Sequence, residues 1–342
     1  MERTESKIKF VGLHAHSTFS VFDGLGLPSD HMNFAYENGC DALALTDHGN
    51  MNGLSYQVLH AKKMNAEGKK FKPIFGIEAY FIDSLSNWKQ EYEKHKEDKK
   101  AKTSDEESGT VVENEEETKT AEKSLLNRRA HLVLLAMNQK GLNNLFTIVS
   151  ESFKPGNFYR YPRVDFDLLE KYNEGLIVSS ACMGGVLAKA YWKNKDAGHE
   201  AVQNAMIELV TRFQSIFGDR FYGELQWHNI AEQHLINKHV IEVAQKTGLK
   251  LVSTADSHYP NPDAWKDREI YKRLGWLNSK PDYDIGDLPK TRDDLKSELY
   301  PKNGDQMWAS YQKYSKACGH EYDDELVLNS IQETYHIAHE RV

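Results

Sequence analysis

At 342 residues and 39% hydrophobic, the chain can bury a sizeable core as one large α/β domain with an appendage, or as two domains. No apolar run nears the roughly 20 residues that span a bilayer, MERTESKIKF lacks an apolar leader, and three scattered cysteines argue against a disulfide framework, so a soluble, cytoplasmic protein with no membrane partner is expected. The net charge of −8 disfavours a nucleic-acid partner only at first sight, because residues 91–123 carry twelve Asp/Glu against seven Lys and leave −3 for everything else.

In chain order, seven short apolar or β-branched runs read as strands: KFVGLHAHS (9–17), DALALTDHG (41–49), KPIFGIEAYF (72–81), AHLVLLAM (130–137), GLIVSSACM (175–183), FYGELQWH (221–228) and LKLVSTADSH (249–258). Helical patterns separate most of them. LPSDHMNFAYENG offers Ser29 as an N-cap and Gly39 as a stop, AGHEAVQNAMIELVTRFQSIFG runs amphipathically to Gly218, and EQHLINKHVIEVAQKTG ends at Gly248. Strands alternating with helices predict βαβ units and a mainly parallel sheet; near-continuous apolar runs predict strands covered on both sides. Residues 86–127 break the pattern, being charged and poor in apolar side chains, and are expected to form a mobile insertion between the third and fourth strands. Beyond residue 259 the alternation stops. DREIYKRLGWL, TRDDLKSEL, DQMWASYQKY and LVLNSIQETYHIAHERV read as the helices of a C-terminal appendage.

Chemistry-bearing residues gather at the strand ends. The first run closes on His14 and His16 and the second on Asp47 and His48; the third carries Glu78 and the fourth opens on His131. Cys182, then His228, then Asp256 and His258 close the last three. Residues i and i+2 of a strand point the same way, so the H-x-H and D-x-H pairs each present two ligand-type side chains in one direction. One such strand end means nothing by itself. Seven in succession predict a polynuclear metal site, because functional residues of parallel α/β sheets collect at the carboxyl ends of strands. His131, which opens its run, is the exception to that register. Imidazoles and a thiolate beside carboxylates suit zinc, with manganese or iron at oxygen-richer positions. Asp47 should face away from His48 and cap a helix or support a ligand. His228 stands open as a substrate contact, the helical His234, His239, His336 and His339 are expected on exposed faces, and Cys40 in the core.

The stretches LHAHSTFSVFDGL, ALTDHGNMNGL, KPIFGIEAYF, HLVLLAMNQKGLNNL, YPRVDF, EGLIVSSACMGG and STADSHYP together resemble the polymerase and histidinol phosphatase (PHP) domain family, most closely the N-terminal PHP domains of bacterial DNA polymerase III α subunits. The resemblance implies a distorted seven-stranded (β/α)7 TIM-like barrel over 1–262, a helical C-terminal extension over 263–342, and three divalent metal ions. Position by position, it implies one ion on His14, His16, Glu78 and Asp256, a second on Glu78, His131 and Cys182, and a third on Asp23, His48 and His258. Asp23 lies in a VFDGLG turn that by itself needs no function. Glu78, Asp256 and His258 are then expected to serve catalysis as well as metal binding, with Arg163 of YPRVDF as a further phosphate contact.

Three divalent ions outweigh four anionic ligands and leave a positive site for phosphate, with a hydroxide bridging the ions as the expected nucleophile. The expected activity is 3′→5′ exonucleolytic hydrolysis of DNA in association with replication. The alternatives are a phosphatase of a small phosphomonoester such as histidinol phosphate, and a metal-stabilised module that binds a DNA polymerase without turnover. No segment here is long enough for a polymerase palm, fingers and thumb. Either a free-standing protein, which would serve a separately encoded polymerase, or an excised domain is therefore expected.

Overall fold

The computed structural model describes residues 3–107, 124–275 and 288–342. Eight strands form one curled, mixed sheet: β1 (Ala42–Leu45), β2 (Lys72–Phe81), β3 (Ala130–Ala136), β4 (Phe158–Tyr159), β5 (Tyr161–Val164), β6 (Leu176–Ser179), β7 (Phe221–Gln226) and β8 (Lys250–Thr254). Their order is β4-β5-β2-β3-β6-β7-β8, with β1 paired to β2. Neighbours β1–β2, β6–β7 and β7–β8 are parallel, as the alternation with helices demands. Strand β3 is the departure: it runs antiparallel to both β2 and β6. That reversal explains the position of His131, since the start of β3 lies at the rim where its neighbours end, opposite Tyr80.

The first predicted strand is not a regular one. Residues 12–16 make single bridges, Gly12 to Leu43 and Ala15 to Ser257. The His16 amide donates to the Ser257 carbonyl at 2.6 Å, the Ser257 amide to His14 at 3.1 Å, and Thr46 to Ala15 at 2.7 Å. This short segment thereby ties β1 on one side to the chain just past β8 on the other. Strands β4 and β5, which carry YPRV, have no counterpart among the apolar runs, because a two-residue strand and a proline give no two-residue periodicity to read.

An apolar cluster inside the curl draws Val11, Ala44, Ile74, Val133, Ile177, Tyr222 and Val252 from successive walls. Ile337 and Ala338 enter it from the C-terminal end. From this floor each strand climbs toward the rim in steps of two residues: Ile74 is followed by Glu78 and Tyr80 on β2, and Val252 leads to Asp256 and His258 beyond β8. The same periodicity that packs the floor therefore aims the ligand-type side chains into one space.

Helices cover the outer face. Pro28–Glu37 has Ser29 inside it rather than at its cap: Pro28 takes the first position, and the Asp30 carboxylate accepts the Leu27 amide at 2.8 Å. His199–Phe217 and Ala231–Thr247 stop where expected, at Gly218 and Gly248 with φ of 60° and 69°. The C-terminal helices are Trp265–Leu274, Gly304–Ala317 and Asp324–His336. TRDDLKSEL forms only the turn Arg292–Asp294, since the Leu299 carbonyl is taken by the amides of His258 and Tyr259 at 2.7 and 3.2 Å, which pins the chain along the rim. The last helix packs on β8, and Lys72 Nζ holds the carbonyls of Ala338 and Val342 at 2.8 and 2.5 Å.

Helix Leu85–Glu107 takes up the start of the charged segment, where Ile82, Leu85, Trp88 and Leu125 form a small apolar cluster. Residues 108–123 of the expected mobile insertion lie outside the described residues. Among the described residues, no helix is long and apolar enough to cross a membrane.

Candidate metal centre

Five of the other eight predicted ligands surround the Glu78 carboxylate, and the remaining three reach it through the histidines. His48 Nδ1 lies 2.6 Å from Oε2 and His131 Nδ1 2.7 Å from Oε1; His14 and His16 each bring Nε2 to 3.5 Å, and Cys182 Sγ stands 3.9 Å from Oε1. Asp256 Oδ1 is 3.2 and 3.4 Å from the same two Nε2 atoms of His14 and His16. Asp23 Oδ2 sits 3.2 Å from His48 Nε2 and 3.4 Å from His258 Nε2. Three sets have their donor atoms within 4.8 Å of one another: His14, His16 and Asp256; His48, Glu78 and His131; His16, His48 and His258.

The chain is bent to achieve this. Asp256 itself has φ 48°, and the residues before Asp23 and Cys182, Phe22 and Ala181, have φ of 64° and 58°. Non-glycine residues avoid this region at a cost of about 1–3 kcal/mol each. Three of the four such residues in the described chain thus stand at, or next to, a predicted ligand.

The donor set fits divalent cations on the structure's own terms. Glu78 Oε2, Asp256 Oδ1 and His48 Nδ1 are buried without a properly oriented hydrogen-bond partner, and an unsatisfied buried polar atom costs about 1–3 kcal/mol. Nitrogen, sulfur and oxygen donors in one pocket suit zinc, manganese or iron rather than calcium or magnesium.

Residues 12–228 match the PHP domain family. The chain belongs to that family. Its relatives include the DNA polymerase III α subunits of Aquifex aeolicus, 40% identical over 74% of this chain, and Borreliella burgdorferi, 34% identical over 80%. The chain spans only 18% and 20% of those two proteins. Among solved structures, an amidohydrolase from Chromobacterium violaceum matches with TM-score 0.40 and 15% identity over 76% of this chain and 96% of its own. A protein from Bifidobacterium adolescentis assigned as a metal-dependent phosphoesterase matches with TM-score 0.35 and 12% identity over 75% and 90%. Both are too distant to bear on the chemistry.

Behind the donors of this PHP domain stands a layer of supports. Glu224 on β7 accepts from His14 Nδ1 at 2.8 Å, Thr254 Oγ1 at 2.5 Å, Ser179 Oγ at 2.6 Å and Gln226 Nε2 at 2.9 Å. A carboxylate can only accept, so the His14 proton stays on Nδ1 and the Nε2 lone pair faces the cluster. The Asp256 carbonyl does the same for His258, 2.7 Å from its Nδ1. For His16 the support is a relay: Nδ1 lies 3.0 Å from Ser20 Oγ, which donates to Asp47 at 2.8 Å. Asp47 also takes the Ser17 amide and hydroxyl, and so supports a ligand rather than capping a helix.

Charges in this space are strongly interdependent. Burial opposes ionisation of Glu78, but the facing His131 and His48 hold its carboxyl well below the usual value. Burial likewise disfavours a charged His48, yet Glu78 and Asp23 lift it to about 10. His16, deprived of water and facing His48 and His258, falls to about 3. The Cys182 thiol is raised by burial, Asp256 and Glu78, a setting that divalent charge would reverse.

One predicted contact is corrected. Arg163 does not reach the cluster: it is wholly buried on β5, its guanidinium donates to the carbonyls of Leu126, Arg128 and Tyr159 at 2.5, 3.1 and 2.9 Å, and it lies 4.3 Å over Trp88. Its donors tie the chain before β3 to β5 and turn away from the cluster. His234 is also buried, not exposed, between the Tyr322 hydroxyl and the His228 carbonyl. His228 is buried behind the rim with Nε2 3.2 Å from Gln226 Oε1.

Sequence reasoning missed Glu224 and Arg268. The first had a signal, an acid in the middle of an apolar strand. Arg268, on Trp265–Leu274, had none; it grips the Asp23 carboxylate and carbonyl, while Tyr271 takes the neighbouring Phe22 amide at 3.1 Å. Glu224→Gln keeps the volume but frees the His14 tautomer, and is expected to weaken metal binding about 10–100-fold. Competition titration against a chromogenic chelator measures this, and an unchanged affinity contradicts the supporting role.

Proposed function

We propose that the chain is a metal-dependent phosphoesterase that hydrolyses DNA phosphodiesters from the 3′ end. The observation that carries this reading is the gathering of nine nitrogen-, oxygen- and sulfur-bearing side chains in one cluster, five of them around the buried carboxylate of the ninth, Glu78. The ring formed by residues 12–16, β1, β2, β3, β6, β7 and β8 is read as a distorted (β/α)7 barrel, holding three divalent ions in the sets given above for the family. Zinc is the favoured ion, with manganese or iron as alternatives. A DNA polymerase is the proposed partner, in keeping with the α-subunit relatives.

Bound ions would supply Lewis acidity and a water of lowered pKa. The chain's own residues set the geometry. Glu78, His14 and His16 form a floor with side-chain exposures of 1% or less, whereas Asp23 and His131 at the rim are 35% and 21% exposed, so substrate meets the cluster from the rim. Glu224 and the Ser20–Asp47 relay fix the imidazoles before substrate arrives, which removes reorganisation from the barrier.

Metal analysis followed by incubation with 3′-end-labelled single-stranded DNA and with small phosphomonoesters tests the reading. Stepwise nucleotide release that a chelator stops is the expected result. Phosphate release from monoesters alone, or no turnover in a metal-loaded sample, contradicts it and points to a small-molecule phosphatase or a non-catalytic module.

A further inference from the structure

A groove of about 910 Å³ opens on the outer side of the rim, beside the cluster. Its floor is apolar, built from Phe81, Ala130, Val186 and Ala190. Its walls carry five basic side chains, Arg128, Arg129, Lys189, Lys193 and Arg212, against two acidic ones, Asp83 and Glu208. In a chain of net charge −8 this is a local reversal of sign. Arg128 is paired with Glu91 at 2.7 Å and Arg212 with Glu170 at 3.5 Å. Lys189 and Lys193 have no acidic partner within 4 Å among the described residues, and they lie one turn apart on Val186–Asn194. Like charges at that spacing work against a helix unless an anion lies between them.

Arg129 connects the groove to the metal centre. Its guanidinium lies 3.8 Å over Tyr161 and 5.3 Å over Tyr80, and its buried Nε has no hydrogen-bond partner. Tyr80 in turn packs against His48 and His131, with ring centroids 6.0 and 5.7 Å away. Strand alternation places the two surfaces back to back: Tyr80 and His131 face the cluster, Phe81 and Ala130 the groove.

We infer that this groove binds the phosphate backbone of single-stranded DNA whose 3′ end reaches the cluster past Arg129. Lys189 and Lys193 contact successive phosphates upstream, and the apolar floor receives a base face. A flexible strand with regularly spaced negative charge and apolar bases matches a groove of this composition. The inference rests on the phosphodiesterase reading for its orientation, but binding is measured without turnover, so the two fail separately.

The test is fluorescence anisotropy of the metal-loaded protein with a labelled, hydrolysis-resistant phosphorothioate oligothymidylate of about 12 nucleotides. Lys189→Glu/Lys193→Glu is expected to weaken binding at least tenfold and to lower the salt slope by about 1.4, at about 0.7 per lost phosphate contact. Hydrolysis of p-nitrophenyl phosphate or its diester should be unchanged, which shows an intact fold and cluster. Lys62→Glu/Lys63→Glu, the same charge change on the exposed face of Leu54–Ala66, is the control. Unchanged affinity and slope in the groove variant, or an equal loss in the control, overturns the inference.

Discussion

Glu78→Gln is expected to lower phosphodiester hydrolysis about a thousandfold, at the upper end of what one misplaced charge costs a preorganised site, and to reduce the bound metal. The amide replaces one accepting oxygen by a donor, and since His48 and His131 stand 2.6 and 2.7 Å from different oxygens, one of the two must lose its acceptor. No other donor in the cluster touches as many partners, so no neighbour can substitute. The swap conserves volume but leaves the buried His48 without its main counter-charge, so the melting temperature of chelator-treated protein should fall. Activity measured against metal content by mass spectrometry decides the matter. Near-normal turnover with full metal would show that the convergence on Glu78 is structural only.

Arg163→Met is expected to destabilise the protein by about 4 kcal/mol or more, because each buried carbonyl left without a donor costs about 1–3 kcal/mol. Three strong acceptors, those of Leu126, Arg128 and Tyr159, lose their partner together. Methionine replaces part of the packing on Trp88 but none of the donors. Urea unfolding measures the loss, while kcat and KM of the folded fraction at low temperature should hold. A stable variant with a raised KM would restore the phosphate-contact role that the sequence suggested.

The difference between these two residues shows what the sequence makes legible. Spacing of two in a strand forces residues to one side, so His14 with His16 and Asp256 with His258 announce their shared direction without coordinates. An arginine has no such constraint. Its long stem can reach a phosphate or turn back to backbone carbonyls, and only tertiary packing decides. The same holds for Glu224, whose role depends on Ser179 and Thr254 from neighbouring strands. The C-terminal helices were legible as helices. Their entry into the apolar floor through Ile337 and Ala338 was not, since two small apolar residues carry no address.

The reversal of β3 has a consequence for how this architecture can vary. A crossover between parallel strands must carry the chain from one end of the sheet back to the other, which sets a minimum length and a fixed path. Between β2 and β3 the chain leaves and re-enters at the same end, the one that bears the metal donors. The connection over residues 82–129 therefore has no distance to cover. Each doubling of a loop costs only about 0.6 kcal/mol in closure entropy, so this junction can lengthen or shorten across descendants of the fold while the ring stays in register. Whatever is gained or lost there leaves and rejoins the sheet at the rim that carries the ligand-type side chains, which makes the reversal of β3 a natural place to attach new specificity.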